Sequence, residues 1–99
     1  MADVRNGEQD EFGRRIREIV GRLVHADLDP AADAVALGSR YEQYDSLTVL
    51  DTVGLVEQEF GVSVDLVDDD LRATFASVTS IEQLVRRKLA DQAVLSGGF

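Results

Sequence analysis

Residues 45–61 read DSLTVLDTVGLVEQEFG, and the periodicity of this stretch decides the fold of the chain. It predicts a helix that begins at Asp45 or Ser46, either of which can cap the first turn, and ends at Phe60-Gly61, where glycine suits the left-handed cap position. One apolar line at helical spacing predicts a core-facing side: Val49, Val53, Val56 and Phe60. A second line on a different side is expected to stay largely exposed: Leu47, Leu50 and Gly54.

An amphipathic helix is also predicted upstream, because apolar residues recur there at helical spacing between arginines. Its apolar positions are Phe12, Ile16, Ile19, Val20, Leu23 and Val24. Asp29-Pro30 is expected to stop this helix, since proline disfavours helix in the residue before it. A connection of about 16 residues follows, which is long for a compact domain. Four of its side chains could pin it to the bundle: Leu28, Val35, Leu37 and Tyr41.

Two further helices are predicted downstream. Val62-Ser63-Val64 is expected to be extended loop, because an isolated strand is not stable. Residues 68–75 predict a short helix with an acidic first turn. Thr79-Ser80-Ile81-Glu82 is typical of a capping box and opens a final helix, whose apolar face is Val78, Ile81, Leu84, Val85 and Leu89. The prediction is an all-α fold: a small four-helix bundle of three longer helices and one short helix, with a long loop between helices one and two.

The length of 99 residues predicts one domain with a single modest core. We expect a folded body at residues 9–90, a flexible N-terminus at 1–8 and a flexible tail at 91–99. The formal charge of -9 argues against nucleic-acid binding and favours basic protein partners. No apolar run resembles a signal peptide or reaches membrane-spanning length, so we expect a soluble, cytoplasmic monomer without a membrane partner.

Ser46 stands where a long polar loop gives way to a helix, so its hydroxyl is the chemically interesting group. Nucleophilic catalysis would need a base, and His25 is the only histidine, at the end of the first helix. The aspartates at 65 and 68–70 lack the ligand spacing of a calcium loop and predict a solvated helix start. We therefore predict neither a catalytic site nor a metal site. The absence of cysteine means that any thiol must come from a cofactor.

The chain resembles the acyl carrier protein family over nearly the whole predicted body. Asp45-Ser46-Leu47 opens the second helix after the long loop, and Glu57-Gln58-Glu59-Phe60-Gly61-Val62 closes it at the distance typical of the family. Ser77-Val78-Thr79-Ser80 then leads into the last helix. The triplet by itself is common, and it is the combination that carries the resemblance.

The resemblance implies that Ser46 is the attachment point for 4′-phosphopantetheine, which a phosphopantetheinyl transferase moves from coenzyme A. The terminal thiol of this arm would carry acyl or aminoacyl groups as thioesters. Asp45 would help the transferase to recognise the site or hold its metal ion, although a plain helix cap also explains this residue. The partners implied are acyltransferases, ligases or synthases with basic docking surfaces. The family's recognition positions fall on Leu47, Leu50, Asp51, Gly54 and Glu57.

The chain departs from the pattern of many family members at two places. Glu42 and Gln43 occupy the loop where many have a glycine before the aspartate, and Thr48 stands where an acidic residue is common. These departures favour a discrete carrier of polyketide or related specialised metabolism over the fatty-acid carrier. The alternative is an acidic helical adaptor or inhibitor that binds a basic partner without a cofactor. For Gly54, too, there is an alternative to docking: a neighbouring helix or the long loop covers the second apolar line, and the glycine relieves crowding there.

Overall fold

The computed structural model describes residues 4–66 and 70–97, and the side chains of residues 11–66 and 70–92. The elements in chain order are α1 (Val4–Val24), a 3-10 turn (Pro30–Ala32), α2 (Leu37–Arg40), α3 (Ser46–Phe60), α4 (Leu71–Thr74) and α5 (Val78–Gly97). No strand occurs within these ranges. The predicted all-α bundle is confirmed, with three long helices as expected and two short ones instead of one.

The predicted flexible ends fall partly outside the described residues. The backbone of residues 4–8 belongs to α1, and that of residues 91–97 belongs to α5, so both helices extend past the 9–90 body that the sequence predicts. Residues 1–3 and 98–99 lie outside the described ranges. The flexibility of the segments 1–8 and 91–99 stays a prediction.

Helix α1 ends earlier than the sequence predicts. It stops at Val24, because His25 adopts a left-handed conformation with φ 58° and the Ala26 amide donates back to the Gly21 carbonyl over 3.1 Å. Pro30 is therefore not the stop signal. It opens the 3-10 turn, which Asp29 caps by accepting a hydrogen bond from the Ala31 amide. The sequence does not predict this helix end, because the left-handed position is occupied by histidine and not by glycine, the usual residue there.

The connection between α1 and α3 contains helix α2 and is hydrogen-bonded to residues at the start of α5 and just before it. The Leu37 amide donates to the Ala76 carbonyl over 2.8 Å, and the Thr79 amide donates to the Asp33 carbonyl over 3.0 Å. Of the four side chains expected to pin it, Leu37 is buried, whereas Leu28 and Tyr41 are half-buried. Val35 is 44% exposed and pins nothing, so that prediction is wrong for this residue.

The core lies where α1 packs against α3 and α5, with α4 closing one end against α5. Burial of these apolar side chains is the main stabilising term of the fold. The largest fully buried side chains are Phe75, Ile16, Ile19, Ile81, Leu84, Val20, Val24, Val56, Val78, Val85 and Thr52. Val53 and Val56 are buried and Val49 and Phe60 half-buried, so the predicted core-facing line of α3 is confirmed.

Two phenylalanines and two arginines join the three long helices near the end of α3. The Phe12 and Phe60 rings meet edge-on with centroids 5.4 Å apart. The Arg15 guanidinium lies 4.5 Å from the Phe60 centroid, and that of Arg86 lies 4.8 Å from the Phe12 centroid. Arg15 also pairs with Glu59 over 2.7 Å. These contacts link the C-terminal end of α3 to both α1 and α5.

The start of α5 differs from the predicted capping box. The Ser80 amide donates to the Ser77 hydroxyl over 3.1 Å, and the Ser77 amide donates to the Ser80 hydroxyl over 3.0 Å. This is the reciprocal pattern of a capping box, with Ser77 as cap instead of Thr79. Glu82, predicted to complete the box, pairs with Arg86 one turn later. The capping box lies two residues earlier than predicted, because Ser80 in the third helical position provides the acceptor oxygen that a glutamate usually provides.

Helix α4 is shorter than the 68–75 helix predicted from sequence. It begins at Leu71, and Asp70 caps it by accepting a hydrogen bond from the Arg72 amide over 3.1 Å. Asp68 and Asp69 lie outside the described residues. Between α3 and α4, Val62 and Val64 are buried in extended loop without strand pairing, which confirms the loop prediction.

We expect Tyr44→Phe to lower the free energy of unfolding by about 1–2 kcal/mol at neutral pH, because it leaves a buried carbonyl without its donor. Tyr44 is buried, and its Oη donates to the Phe75 carbonyl over 2.6 Å. Burial also raises the pKa of Tyr44 to about 12, so the folded protein holds this proton more tightly than the unfolded chain does. Stability should therefore fall between pH ~10 and ~12 in the parent protein, by about 1.4 kcal/mol per pH unit.

Urea unfolding of both proteins from pH 8 to 12 tests this expectation. The deficit of Tyr44→Phe should shrink as pH rises through this window, because the variant has no phenol to ionise there. Tyr41→Phe is the control, since its phenol makes no hydrogen bond within the described structure. A deficit of Tyr44→Phe that stays constant up to pH 12 would contradict a role for the buried phenol.

Candidate functional site

Asp45, and not Ser46, caps α3. Its carboxylate accepts a hydrogen bond from the Thr48 amide over 3.0 Å, and its carbonyl accepts from the Val49 amide. The hydrogen bond from the Thr48 amide, followed by that from the Thr48 side chain, lowers the pKa of the Asp45 carboxyl group, so this group is ionised at neutral pH. Ser46 is the first helical residue, and the sequence left the choice between the two open.

The Ser46 side chain is exposed and unengaged. Among the described residues its hydroxyl has no hydrogen-bond partner, whereas the hydroxyls of Thr48 and Thr52 donate to backbone carbonyls. Because Asp45 supplies the cap, the Ser46 oxygen is free to form a bond with something outside the chain. The backbone around it is fixed by Thr48, which donates to the Gln43 carbonyl over 2.6 Å, and by the buried Tyr44.

An apolar groove of about 500 Å³ opens directly beside Ser46, between α2, α3 and α4. Its lining is Ala36, Gly38, Ser39, Tyr44, Ser46, Val49, Leu50, Leu71, Arg72, Phe75 and Ala76. Sequence reasoning does not find this groove, because four of its eleven lining residues come from the short helices α2 and α4, whose positions the sequence pattern alone does not predict. The only available signal is the pair Leu71 and Phe75, which share one face of a short helix.

The second apolar line of α3 is exposed as predicted. Leu47 is 73% exposed and Leu50 is 48% exposed. A side chain added at Gly54 would meet nothing within 4 Å, so no neighbouring segment covers this position among the described residues. The alternative that Gly54 relieves crowding inside the chain therefore has no support in the packing. These three residues and Asp51 form what we call the outer face of α3.

Glu57 differs from the other four predicted partner-binding residues. Its carboxylate accepts a hydrogen bond from the Val64 amide over 2.8 Å and so anchors the loop that follows α3. It also borders a shallow depression of about 790 Å³, together with Leu50, Asp51 and Gly54 of the outer face. The structure thus brings the predicted residues to one side of α3, with Glu57 carrying a structural contact as well.

The described residues contain no cluster of three or more potential metal ligands. His25 lines a separate depression with Arg14, Arg17 and Arg22, and it is not among the residues around the Ser46 groove. In the described part of the chain, no helix is long and apolar enough to cross a bilayer. The chemistry of the site is that of a free hydroxyl beside an ionised carboxylate.

Comparison with known proteins adds no assignment. No protein-family model matches the chain, and no curated protein or solved structure matches it either. The case for a function therefore depends on the site itself: the free Ser46 hydroxyl, the adjoining groove and the outer face of α3.

Proposed function

We propose that this protein is a carrier of the acyl carrier protein type, which holds acyl or aminoacyl groups as thioesters on a 4′-phosphopantetheine arm attached to Ser46. The observation that carries the proposal is the state of Ser46. Its hydroxyl is exposed at the start of a 15-residue helix, released from capping by Asp45, and set on the rim of an apolar groove.

The local chemistry fits a phosphodiester on this oxygen. The first amides of a helix have no intrahelical acceptor and lie at the positive end of the helix dipole, which favours a negative group there. The arm, when attached, supplies the thiol that a chain without cysteine lacks. The residues of this chain contribute a rigid attachment point and a surface that enzymes can recognise.

The outer face of α3 supports delivery to other enzymes. Leu47 and Leu50 expose apolar side chains, Asp51 is exposed beside them, and α3 contains no basic residue. A chain with a net charge of -9 attracts partners with basic surfaces. The transferase and the acyltransferases, ligases or synthases of a carrier pathway are the partners we propose. The sequence departures at Glu42, Gln43 and Thr48 favour a discrete carrier of specialised metabolism, such as a polyketide pathway.

The competing function is a cofactor-free acidic adaptor or inhibitor, which would use the same outer face. That function needs no free serine, and it gives no role to an unengaged hydroxyl beside an apolar groove. The two functions therefore differ in one chemical event, the modification of Ser46.

Incubation of the purified chain with coenzyme A, Mg²⁺ and a broad-specificity phosphopantetheinyl transferase tests the proposal. Intact mass should rise by one phosphopantetheine per chain. A thiol reagent should then detect one thiol per loaded chain and none in the unloaded chain, because the sequence contains no cysteine. An unchanged mass with several transferases of different specificity would contradict the proposal and favour the adaptor.

A further inference from the structure

Arg72 is unlike every other arginine and lysine whose side chain the structure describes. Four arginines form ion pairs with carboxylates: Arg14, Arg15, Arg17 and Arg86. Arg22 donates to the Glu18 carbonyl, Arg40 lies over the Tyr41 ring, and Arg87 and Lys88 also have interactions. The Arg72 guanidinium alone, within the described residues, has no hydrogen bond, ion pair or ring contact.

The position of Arg72 gives its lack of a partner a possible role. Arg72 lies on α4 and is exposed, and among the described residues it is the only charged one that lines the groove beside Ser46. In a chain with 19 acidic and 10 basic residues, an arginine without a carboxylate partner is unexpected. Within the part of the chain that the structure describes, the groove thus has one unpaired cation, on a wall that also includes the Ser46 hydroxyl.

The two carboxylates that cap the adjoining helices leave Arg72 unneutralised. Asp45 accepts from the Thr48 amide of α3, and Asp70 accepts from the Arg72 amide of α4. Each is directed to a backbone donor of its own helix. A second negative charge placed on Ser46 would lie next to the ionised Asp45 and be repelled by it, and attraction to a nearby cation would offset this repulsion. Arg72, which has no carboxylate partner among the described residues, lines the same groove.

We propose that the Arg72 guanidinium binds the phosphodiester on Ser46 and so holds the base of the arm against α4, across the mouth of the groove. This inference rests on the proposed function, since it requires a phosphate on the Ser46 oxygen. A planar guanidinium binds phosphate through two parallel N–H···O hydrogen bonds. The phosphate is also the one anion present whatever cargo the arm carries. Arg72 is thus a positioning residue for the arm.

Nuclear magnetic resonance of apo and loaded protein tests this pairing directly. The Arg72 Nε–Hε resonance is identified as the one missing from the spectrum of Arg72→Gln. It should shift on loading with unacylated arm, and the shift should shrink in about 1 M salt, where the Debye length is ~3 Å. The ³¹P resonance of loaded Arg72→Gln should differ from that of the loaded parent. Arg40→Gln removes an exposed arginine that does not line this groove and should leave the ³¹P resonance unchanged.

Intact mass measured on the same samples separates the two proposals. A chain that never gains phosphopantetheine overturns the proposed function and, with it, the pairing. A loaded chain in which neither the Arg72 Nε–Hε nor the ³¹P resonance responds overturns the pairing alone. An Arg72 shift that occurs only after a carboxylated acyl group is attached would also overturn it, because the bound anion would then be the cargo and not the phosphate.

Discussion

Ser46→Ala is expected to abolish phosphopantetheine loading completely while leaving the bundle folded. Loading needs the hydroxyl oxygen, and alanine has none. The fold does not need it, because Asp45 supplies the cap of α3 and the Ser46 hydroxyl has no partner among the described residues. The free energy of unfolding should change by no more than about 0.5 kcal/mol, as for other exposed positions without a structural contact. Intact mass after incubation with the transferase and urea unfolding measure the two effects.

Ser39→Ala is the matched control. Ser39 is exposed and lines the same groove, but it belongs to α2 and does not begin a long helix. Its alanine variant should load like the parent protein. If Ser39→Ala also lost loading, the groove as a whole and not the Ser46 oxygen would be required. If Ser46→Ala still loaded, the arm would be attached elsewhere.

Alanine at Gly21 and alanine at Gly54 are expected to change stability in opposite directions. At Gly21 the added Cβ would lie 2.6 Å from the Ala26 carbonyl oxygen, a backbone atom held by the turn that ends α1. Relief of this overlap costs up to about 3 kcal/mol, against about 1 kcal/mol gained in helix propensity. We therefore expect Gly21→Ala to lower the free energy of unfolding by about 1–2 kcal/mol.

At Gly54 the same Cβ meets nothing within 4 Å, so only the propensity gain remains. Gly54→Ala should raise the free energy of unfolding by about 1 kcal/mol. If partners approach the backbone of α3 closely at this position, the stabilised variant should also load more slowly. Urea unfolding and initial loading rates of both variants test the pair. Equal stability changes at the two glycines would contradict the described end of α1, and unchanged loading of Gly54→Ala would place docking elsewhere on the surface.

The long helices follow from the sequence because their apolar spacing has one solution. The line Val49, Val53 and Val56 can face only a core, and its burial leaves Leu47 and Leu50 outside. The left-handed glycine predicted at the end of α3 is also present, since Gly61 has φ 67°. These features depend on local periodicity and on residue types with strong conformational preferences.

Features that depend on tertiary contacts do not follow from the sequence. At the end of α1, His25 adopts the left-handed conformation that glycine usually takes. At the start of α5, Ser77 and Ser80 form the reciprocal capping bonds, although the sequence pattern predicted Glu82 for this role. Helix α2 has only four residues and is tied to the bundle by the hydrogen bond between the Leu37 amide and the Ala76 carbonyl. Such short elements form because of what they pack against. The groove beside Ser46 is built partly from these short helices, so the hydrophobic pattern of the sequence does not predict it.

Site localisation of the modification tests the central claim most directly. After loading, cleavage at arginine releases the fragment from Tyr41 to Arg72, which contains Ser46 together with Thr48, Thr52 and Ser63. Fragmentation of this peptide in a mass spectrometer assigns the phosphopantetheine to one hydroxyl. We predict that the entire modification lies on Ser46. Phosphopantetheine found on another residue, or a peptide that stays unmodified with active transferases, would contradict the account.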